Sequence, residues 1–427
     1  MNQYFIEGGA PIQGTIRASG NKNAALPCIA AALLTDEPVV LKNIPNIEDV
    51  QVMLDVYRAF GGEVTPLEPN AYRFLLRDIK TSEVPLEYAR KIRASILFAG
   101  PLLARTGMVT LPPPGGDIIG RRRLDTHFLV LTELGAVVEI NGAFIFRAPG
   151  LTGADIFLDE ASVTATENAI MAAVLARGKT ILTNAASEPH VQDLCLMLNA
   201  MGADITGIGS NILTIQGVPK LLGCEFEIGV DFMEVGSFIG LAAATGGELF
   251  IEGPDVRDLR PAKTGFGKLG IVWEQEGKVL HVPAKQAMKA NNDLGGMIPK
   301  IDDAPWPGFP PDLTSIVTVV ATQIEGTVLV HEKMFESRMF FVDKLIDMGA
   351  RIVLCDPHRA VISGPTTLTG SELTSPDIRA GMAMVIAAMC ARGNSIIRNV
   401  YQIERGYENL VPRLASLGAR IISRQPG

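Results

Sequence analysis

Between Leu111 and His127 the chain reads LPPPGGDIIGRRRLDTH, with one carboxylate, Asp117, ahead of three consecutive arginines, Arg121, Arg122 and Arg123. Three prolines and two glycines exclude a regular helix or an interior strand, so a bendable loop of defined shape is predicted here. An acid beside several guanidinium groups has two readings. It can be a surface ion pair of little energetic weight. It can also be a place where a basic fork grips a phosphate or carboxylate while the acid moves a proton.

Other stretches offer the same chemistry. SGNKNAALP, from Ser19, runs a glycine turn into the start of an apolar helix, where backbone N–H groups and the Lys22 charge favour an anion. Arg93 heads RASILFAGPLLA, as a snorkelling boundary residue or as a fork aimed into a cleft. Ser162 to Thr166 (SVTAT) opens another apolar helix, where capping is expected. Asp312 lies in PPDLT, Arg338 in FESR, Asp377 and Arg379 in DIR, and Arg405 in ERGYE. Taken singly, Asp312 reads as an N-cap and each arginine as an ion-pair partner. Their recurrence at loops and helix starts of successive similar segments points further. If those ends face one cleft, Lys22, Arg93, Arg122, Arg338, Arg379 and Arg405 meet Asp117, Asp312 and Asp377 around a substrate bearing phosphates and a carboxylate.

The elements that must position these groups repeat. FGGEV at Phe60, LGAVV at Leu134, MGADI at Met201, LGIVW at Leu269, MGARI at Met348 and LGARI at Leu417 recur about every 70 residues. An amphipathic helical pattern precedes each phrase and a short strand follows it, the signature of a glycine-terminated helix reversing into a strand. Upstream of most copies lies a second helix that is apolar on nearly every face, such as Val235 to Gly246 or Ile378 to Ala391, and such helices must be buried on all sides. Six units over a chain of 427 residues predict two domains of three units, apolar helices central and sheets outside. The strand-like GTIRA near the N-terminus is expected to return to the second half, giving two crossings between domains and a hinge that could close over a ligand.

Composition narrows the function classes. A net charge of −8 with scattered arginines argues against a nucleic-acid surface. The five cysteines, Cys28, Cys195, Cys224, Cys355 and Cys390, form no CxxC pair, predicting buried free thiols in a reducing cytoplasm. His190 and Cys195 lack further ligands nearby, so no metal site is expected. The opening MNQYFIEGGAP has neither basic start nor apolar run, predicting no signal peptide, and no apolar stretch reaches the ~18 residues of a membrane span.

In this order and at these spacings, SGNKNAALP, RASILFAGPLLAR, PGGDIIGRR, EPHVQDL, FPPDL, FESR, DIRAG and ERGYE resemble the enolpyruvyl transferases, specifically the members that act on UDP-N-acetylglucosamine. The resemblance implies an α/β fold, the inside-out α/β barrel, in two domains of three βαβαββ-type units. Residues 20–231 would form the domain with the loop and residues 1–19 plus 232–427 the second, with the active site in the cleft between. It implies transfer of enolpyruvyl from phosphoenolpyruvate to the 3-hydroxyl of UDP-N-acetylglucosamine, the first committed step of peptidoglycan synthesis, and hence a part in cell shape and division. Two alternatives stay open: another acceptor such as shikimate phosphate, or a non-catalytic paralogue that binds a nucleotide sugar.

Carried across by position, Lys22, Asn23, Arg122 and Arg405 would hold phosphoenolpyruvate. Asn23, Arg93, Arg122, Arg123, Leu124, Asp125, Thr126, Ser162, Val163, Thr164, Asp312 and Met334 would border the nucleotide sugar. Asp312 would take the sugar hydroxyl proton, with Lys22 and Arg405 catalytic beside it and Arg338, Asp377 and Arg379 supporting the site. Asp117 stands where many members carry a cysteine and would be the proton donor; with no thiolate there, insensitivity to the epoxide fosfomycin is expected. No cofactor, metal, nucleic acid or membrane partner is implied. The chain departs from the family at Pro112 to Pro114, which lengthen the loop, at Glu160 and Thr164, where lysine and glycine are frequent, and at His190, where glutamate is common.

Overall fold

The six glycine phrases are six copies of one helix ending. In the computed structural model, which describes residues 2–116 and 123–425, Gly61, Gly135, Gly202, Gly270, Gly349 and Gly418 all have φ between 72° and 102°. After each, a backbone N–H reaches back five residues: Gly62 to Tyr57, Ala136 to Leu131, Ala203 to Leu198, Ile271 to Phe266, Ala350 to Leu345 and Ala419 to Leu414, at 2.9–3.2 Å. This Schellman-type closure satisfies helix carbonyls and turns the chain into the next strand, and an L side chain at its left-handed position would be strained.

Two compact units result, residues 20–116 with 123–229 and residues 2–19 with 230–425. Each has its own hydrophobic core and, among the described residues, three sheets. Five of the six sheets share one plan: a leading strand runs parallel to a second, which pairs antiparallel with a third that is itself antiparallel to the fourth. The sheet of Met108–Leu111, Phe144–Arg147 and Val137–Ile140 keeps only an isolated parallel bridge, Glu83 to Thr110, in the leading position. The leading strands are three to five residues long, too short to show as periodicity. In the second unit the N-terminal strands Gln3–Glu7 and Gln13–Arg17 complete two sheets, pairing with Asn394–Arg398 and Arg420–Arg424 and with Glu248–Glu252.

Buried helices fill the middle. In the second unit Phe232–Thr245, Thr314–Ala321 and Ile378–Cys390 pack pairwise on one another. Contact is close because Gly236 and Gly240 face Leu313 and Ile316; a Cβ would lie 2.7 and 2.6 Å from their side chains. In the first unit Lys22–Ala31 and Ala99–Thr106 each pack on Val163–Ala173. Each fully buried Leu, Ile or Val along these helices contributes ~1.5–3 kcal/mol.

Two local expectations need correction. The helix predicted from Arg93 begins as a 3-10 turn, Arg93–Phe98, before the α-helix starts at Ala99. All five cysteines are free, but only Cys28 and Cys195 are buried; Cys224 and Cys390 are half-buried, and Cys355 is exposed on the solvent side of a hairpin strand. No helix among the described residues is long and apolar enough to cross a membrane.

Candidate active site

Asp312 does not cap a helix. It sits within the 3-10 turn Pro311–Leu313, and the following helix has no side-chain cap. Its carboxylate is instead held by two arginines: Arg338 Nη1 donates to Oδ1 at 2.9 Å and Arg379 Nε to Oδ2 at 3.0 Å. The arginine side chains are 4% and 6% exposed and that of Asp312 21%, so the pair is buried behind a carboxylate with one open side. Burial by itself would raise the Asp312 carboxyl, but the Arg379 and Arg338 guanidinium groups overcome it and hold it well below the usual carboxylate range.

Both arginines are fixed in turn. Arg379 donates to the Tyr407 hydroxyl at 3.2 Å and lies 5.4 Å from the centre of that ring, and Tyr407 shares a 2.8 Å hydrogen bond with Ser237. Asp377 does cap: its Oδ1 accepts from the N–H groups of Arg379 and Ala380 at 2.8 and 2.9 Å, fixing the start of Ile378–Cys390. Asp231 caps Phe232–Thr245 in the same way, accepting from Met233 and Glu234. Burial first, and the nearby Glu234, push its carboxyl up to about 6 against the pull of Arg379. Arg338 lies 4.4 Å over the Phe335 ring. Arg405, buried after the short helix Tyr401–Glu404, donates to Gln402 Oε1 at 3.1 Å. Met334 is partly exposed on the turn before Arg338.

The other unit carries two clusters. Asn21 caps Lys22–Ala31 by accepting from the Asn23 N–H at 2.8 Å, which brings Lys22 to the helix start. Lys22 Nζ lies 2.6 Å from Asp49 Oδ2, both side chains at or below 10% exposure. In the second cluster Arg93 donates to the Arg123 carbonyl at 2.9 Å, Arg123 pairs with Asp125 and Asp159, and the Thr126 hydroxyl donates to Asp159 at 2.8 Å. Leu124 is half-buried just ahead of the helix Asp125–Glu133.

Ser162, Val163 and Thr164 are half-buried at the start of Val163–Ala173, but Ser162 makes no side-chain cap. Its carbonyl instead takes the Thr166 hydroxyl at 2.8 Å. Thr164 Oγ1 lies 3.1 Å from His127 Nε2, and His127 Nδ1 faces the Asn168 amide at 3.0 Å. Since Asn168 Oδ1 already accepts from the Gly100 N–H, its Nδ2 is the donor to Nδ1. The proton of the neutral ring then sits on Nε2 and donates to Thr164, whose own hydroxyl hydrogen is left to donate outward. Burial, helped by Arg93, lowers His127 to about 3, so it stays neutral.

The structure thus joins Asp312, Arg338 and Arg379, with Asp377 supporting, and separately joins Arg93, Arg123, Asp125 and Thr126. Asp117, Arg121 and Arg122 lie outside the described residues. Asp49, His127 and Tyr407 were not singled out from the sequence. One signal was there: six residues beyond Asn43, Glu332 and Asn399, which directly follow the first long strand in three repeats, stand Asp49, Arg338 and Arg405.

These residues can be set against known proteins. The profile of the EPSP synthase (3-phosphoshikimate 1-carboxyvinyltransferase) family matches residues 6–414. The chain belongs to that family. Among similar curated proteins, the UDP-N-acetylglucosamine 1-carboxyvinyltransferase of Treponema denticola is 72% identical over 421 residues, 99% of each chain. The protein of the same name from Bradyrhizobium diazoefficiens is 57% identical over 98% of this chain and 97% of its own. The crystal structure of the enolpyruvyl transferase NikO from Streptomyces tendae shares the fold with a TM-score of 0.89 at 23% identity, over 100% of this chain and 99% of that one. An EPSP synthase from Acinetobacter baumannii does so with a TM-score of 0.77 at 17% identity, over the whole of both chains. The enolpyruvyl transferase fold explains the repeat: six units in two groups of three, with sheets around buried helices.

Proposed function

We propose that the chain transfers the enolpyruvyl group of phosphoenolpyruvate to the 3-hydroxyl of UDP-N-acetylglucosamine, releasing phosphate, the step that commits the sugar nucleotide to peptidoglycan. The observation that carries this reading is the full-length, 72% identical match to a protein of that name. The reading includes work in the cytoplasm.

The reaction needs an acid, a base and fixed positive charge. A proton added to the methylene carbon of phosphoenolpyruvate leaves a cationic centre at C2. The sugar oxygen bonds to that carbon as its proton departs, giving a tetrahedral intermediate. Loss of a proton from the new methyl group then expels phosphate and restores the double bond. Asp117 is proposed as the donor to carbon, and Asp312 as the acceptor of the hydroxyl proton. Lys22, Asn23, Arg122 and Arg405 would hold phosphoenolpyruvate; Asn23, Arg93, the run 122–126, Ser162, Val163, Thr164, Asp312 and Met334 would border the sugar nucleotide. Arg338, Asp377 and Arg379 would support Asp312.

The geometry sharpens the role of Asp312. A carboxylate held by two arginines is a weak base toward an unreacted alcohol. It becomes adequate once the oxygen begins to bond to the cationic carbon, because the hydroxyl proton is then strongly acidic. The arginines therefore favour proton transfer late in the attack and keep the carboxylate ionised and aimed beforehand. Lys22, paired with Asp49, would share its charge with an arriving phosphate.

Phosphate release from phosphoenolpyruvate with a panel of acceptors tests the reading. UDP-N-acetylglucosamine is expected to support turnover. Turnover with shikimate 3-phosphate alone, or tight sugar-nucleotide binding without any release, would contradict it.

A further inference from the structure

Three repeats use one device just past their first long strand. Asn43, Asn184 and Asn399, each at positive φ, donate a side-chain N–H to the carbonyl that follows the neighbouring parallel strand, on Ile228, Leu158 and Ser375, at 2.8–2.9 Å. In the repeat that carries Asp312 the corresponding pair is Glu332, after Gly326–His331, and Asp303, after Lys300–Asp302. A neutral amide and a carbonyl are replaced by two carboxyl groups.

Both are buried, at 0% and 1% exposure. Asp303 accepts from the N–H groups of Lys333 and Met334 at 2.5 and 3.3 Å, and Glu332 Oε1 from Met334 and Phe335 at 3.3 and 3.1 Å. Glu332 Oε2 meets no donor. Two anions side by side in such a place would be severely unstable, whereas a proton on Glu332 makes it a donor to Asp303. Burial first, then that hydrogen bond, push Glu332 up to about 9, with Arg338 opposing.

The turn they hold leads to the Asp312 cluster. Six residues after Glu332 comes Arg338, whose N–H donates to the Phe335 carbonyl at 3.4 Å and whose guanidinium stacks on the Phe335 ring before gripping Asp312. We propose that Glu332 is a positioning residue for the transferase reaction: a neutral acid whose bond to Asp303 fixes the turn 332–335 and, through it, the Arg338 fork on Asp312. This rests on the reading of Asp312 given above. The charged and titratable groups around Glu332 are Asp303, Arg338 and His358, whose ring and carbonyl bond the Glu332 backbone; Thr314 adjoins its carboxyl, and Asp312 and Asp377 act on Arg338.

Ionisation of Glu332 places a second negative charge beside Asp303 and competes with Asp312 for Arg338. An acid raised in the folded state gives full stability at acid pH, and that stability is lost as pH rises toward the folded value. Glu332→Gln keeps the acceptor oxygen and supplies a permanent N–H donor to Asp303; Glu332→Ala removes both.

Measuring kcat, KM and Tm against pH for the full-length wild type and both variants tests the proposal. Glu332→Gln is expected to keep kcat within about twofold at neutral pH and to hold it where the wild type loses ~10-fold, between about pH 8 and 10. Glu332→Ala is expected to lower kcat more than it changes KM for the sugar nucleotide. Without any substrate, the wild-type Tm is expected to fall more steeply than that of Glu332→Gln as pH rises from about 6 to 9. Identical alkaline limbs for wild type and Glu332→Gln, or a Gln variant as impaired as the Ala variant, would overturn it. So would superposable Tm profiles. A steeper wild-type Tm profile in a protein that turns over no acceptor would support the carboxyl pair and count against the assigned reaction alone.

Discussion

At the scale of single residues, Asp312 separates two effects that a sequence motif cannot. The FPPDL motif marks the position, but only the fold shows a carboxylate bound by Arg338 and Arg379 in place of a helix cap. Its depressed value means that stability from the pair is complete above ~pH 4 and is lost as pH falls through the native range. Arg338→Gln removes one depressing charge, so the acid limb of kcat/KM is expected to move to higher pH, and urea unfolding at neutral pH to show a loss of about 3 kcal/mol, at the low end for a broken buried pair because Arg379 remains. An unmoved limb would contradict the assignment. Thr164, whose hydroxyl oxygen faces His127 Nε2, is expected to add one donor toward an anion. Thr164→Gly should raise KM for the sugar nucleotide by up to ~10-fold with kcat nearly unchanged, as the loss of one charge-assisted hydrogen bond allows. Lys22 and Arg379 were legible as charges at helix starts. Asp49 and His127 were not, because their partners are more than 20 residues away in the chain and nothing local announces a buried pairing.

At the scale of elements, the glycine phrases were the most legible feature, because a left-handed helix ending constrains the residue type directly. All six show the same positive φ and the same backward hydrogen bond. Gly418 tests the backbone term alone, since a Cβ there would meet nothing within 4 Å. Gly418→Ala is expected to cost about 1–2 kcal/mol in urea unfolding without changing kcat. The leading parallel strands and the 3-10 start at Arg93 were not legible. Strands of three residues have no measurable period, and an apolar run reads alike as 3-10 and α. Ser162 shows a related limit: its residue type suits a cap, yet only its backbone is used.

For the whole molecule, the division into units follows from two separate cores, one drawn from residues between Ala24 and Ile228 and the other from residues outside that range. Asn21 N–H donates to the Gly229 carbonyl at 2.7 Å, so the ends of the first unit are already joined. Residues 20–229 expressed alone are expected to unfold cooperatively in urea and to release no phosphate; a molten, non-cooperative product would contradict the independence of its core. The reaction assigned to the complete chain joins an acid and a base through a methyl-bearing intermediate, and that is open to one direct measurement. Product formed in D2O from phosphoenolpyruvate and UDP-N-acetylglucosamine can be weighed by mass spectrometry, with Asp312→Asn alongside. The account predicts an enolpyruvyl sugar nucleotide carrying deuterium on its vinyl carbon, and a ~10²–10⁴-fold slower reaction in the variant. A product free of deuterium, or an Asp312→Asn enzyme as fast as the wild type, would contradict it.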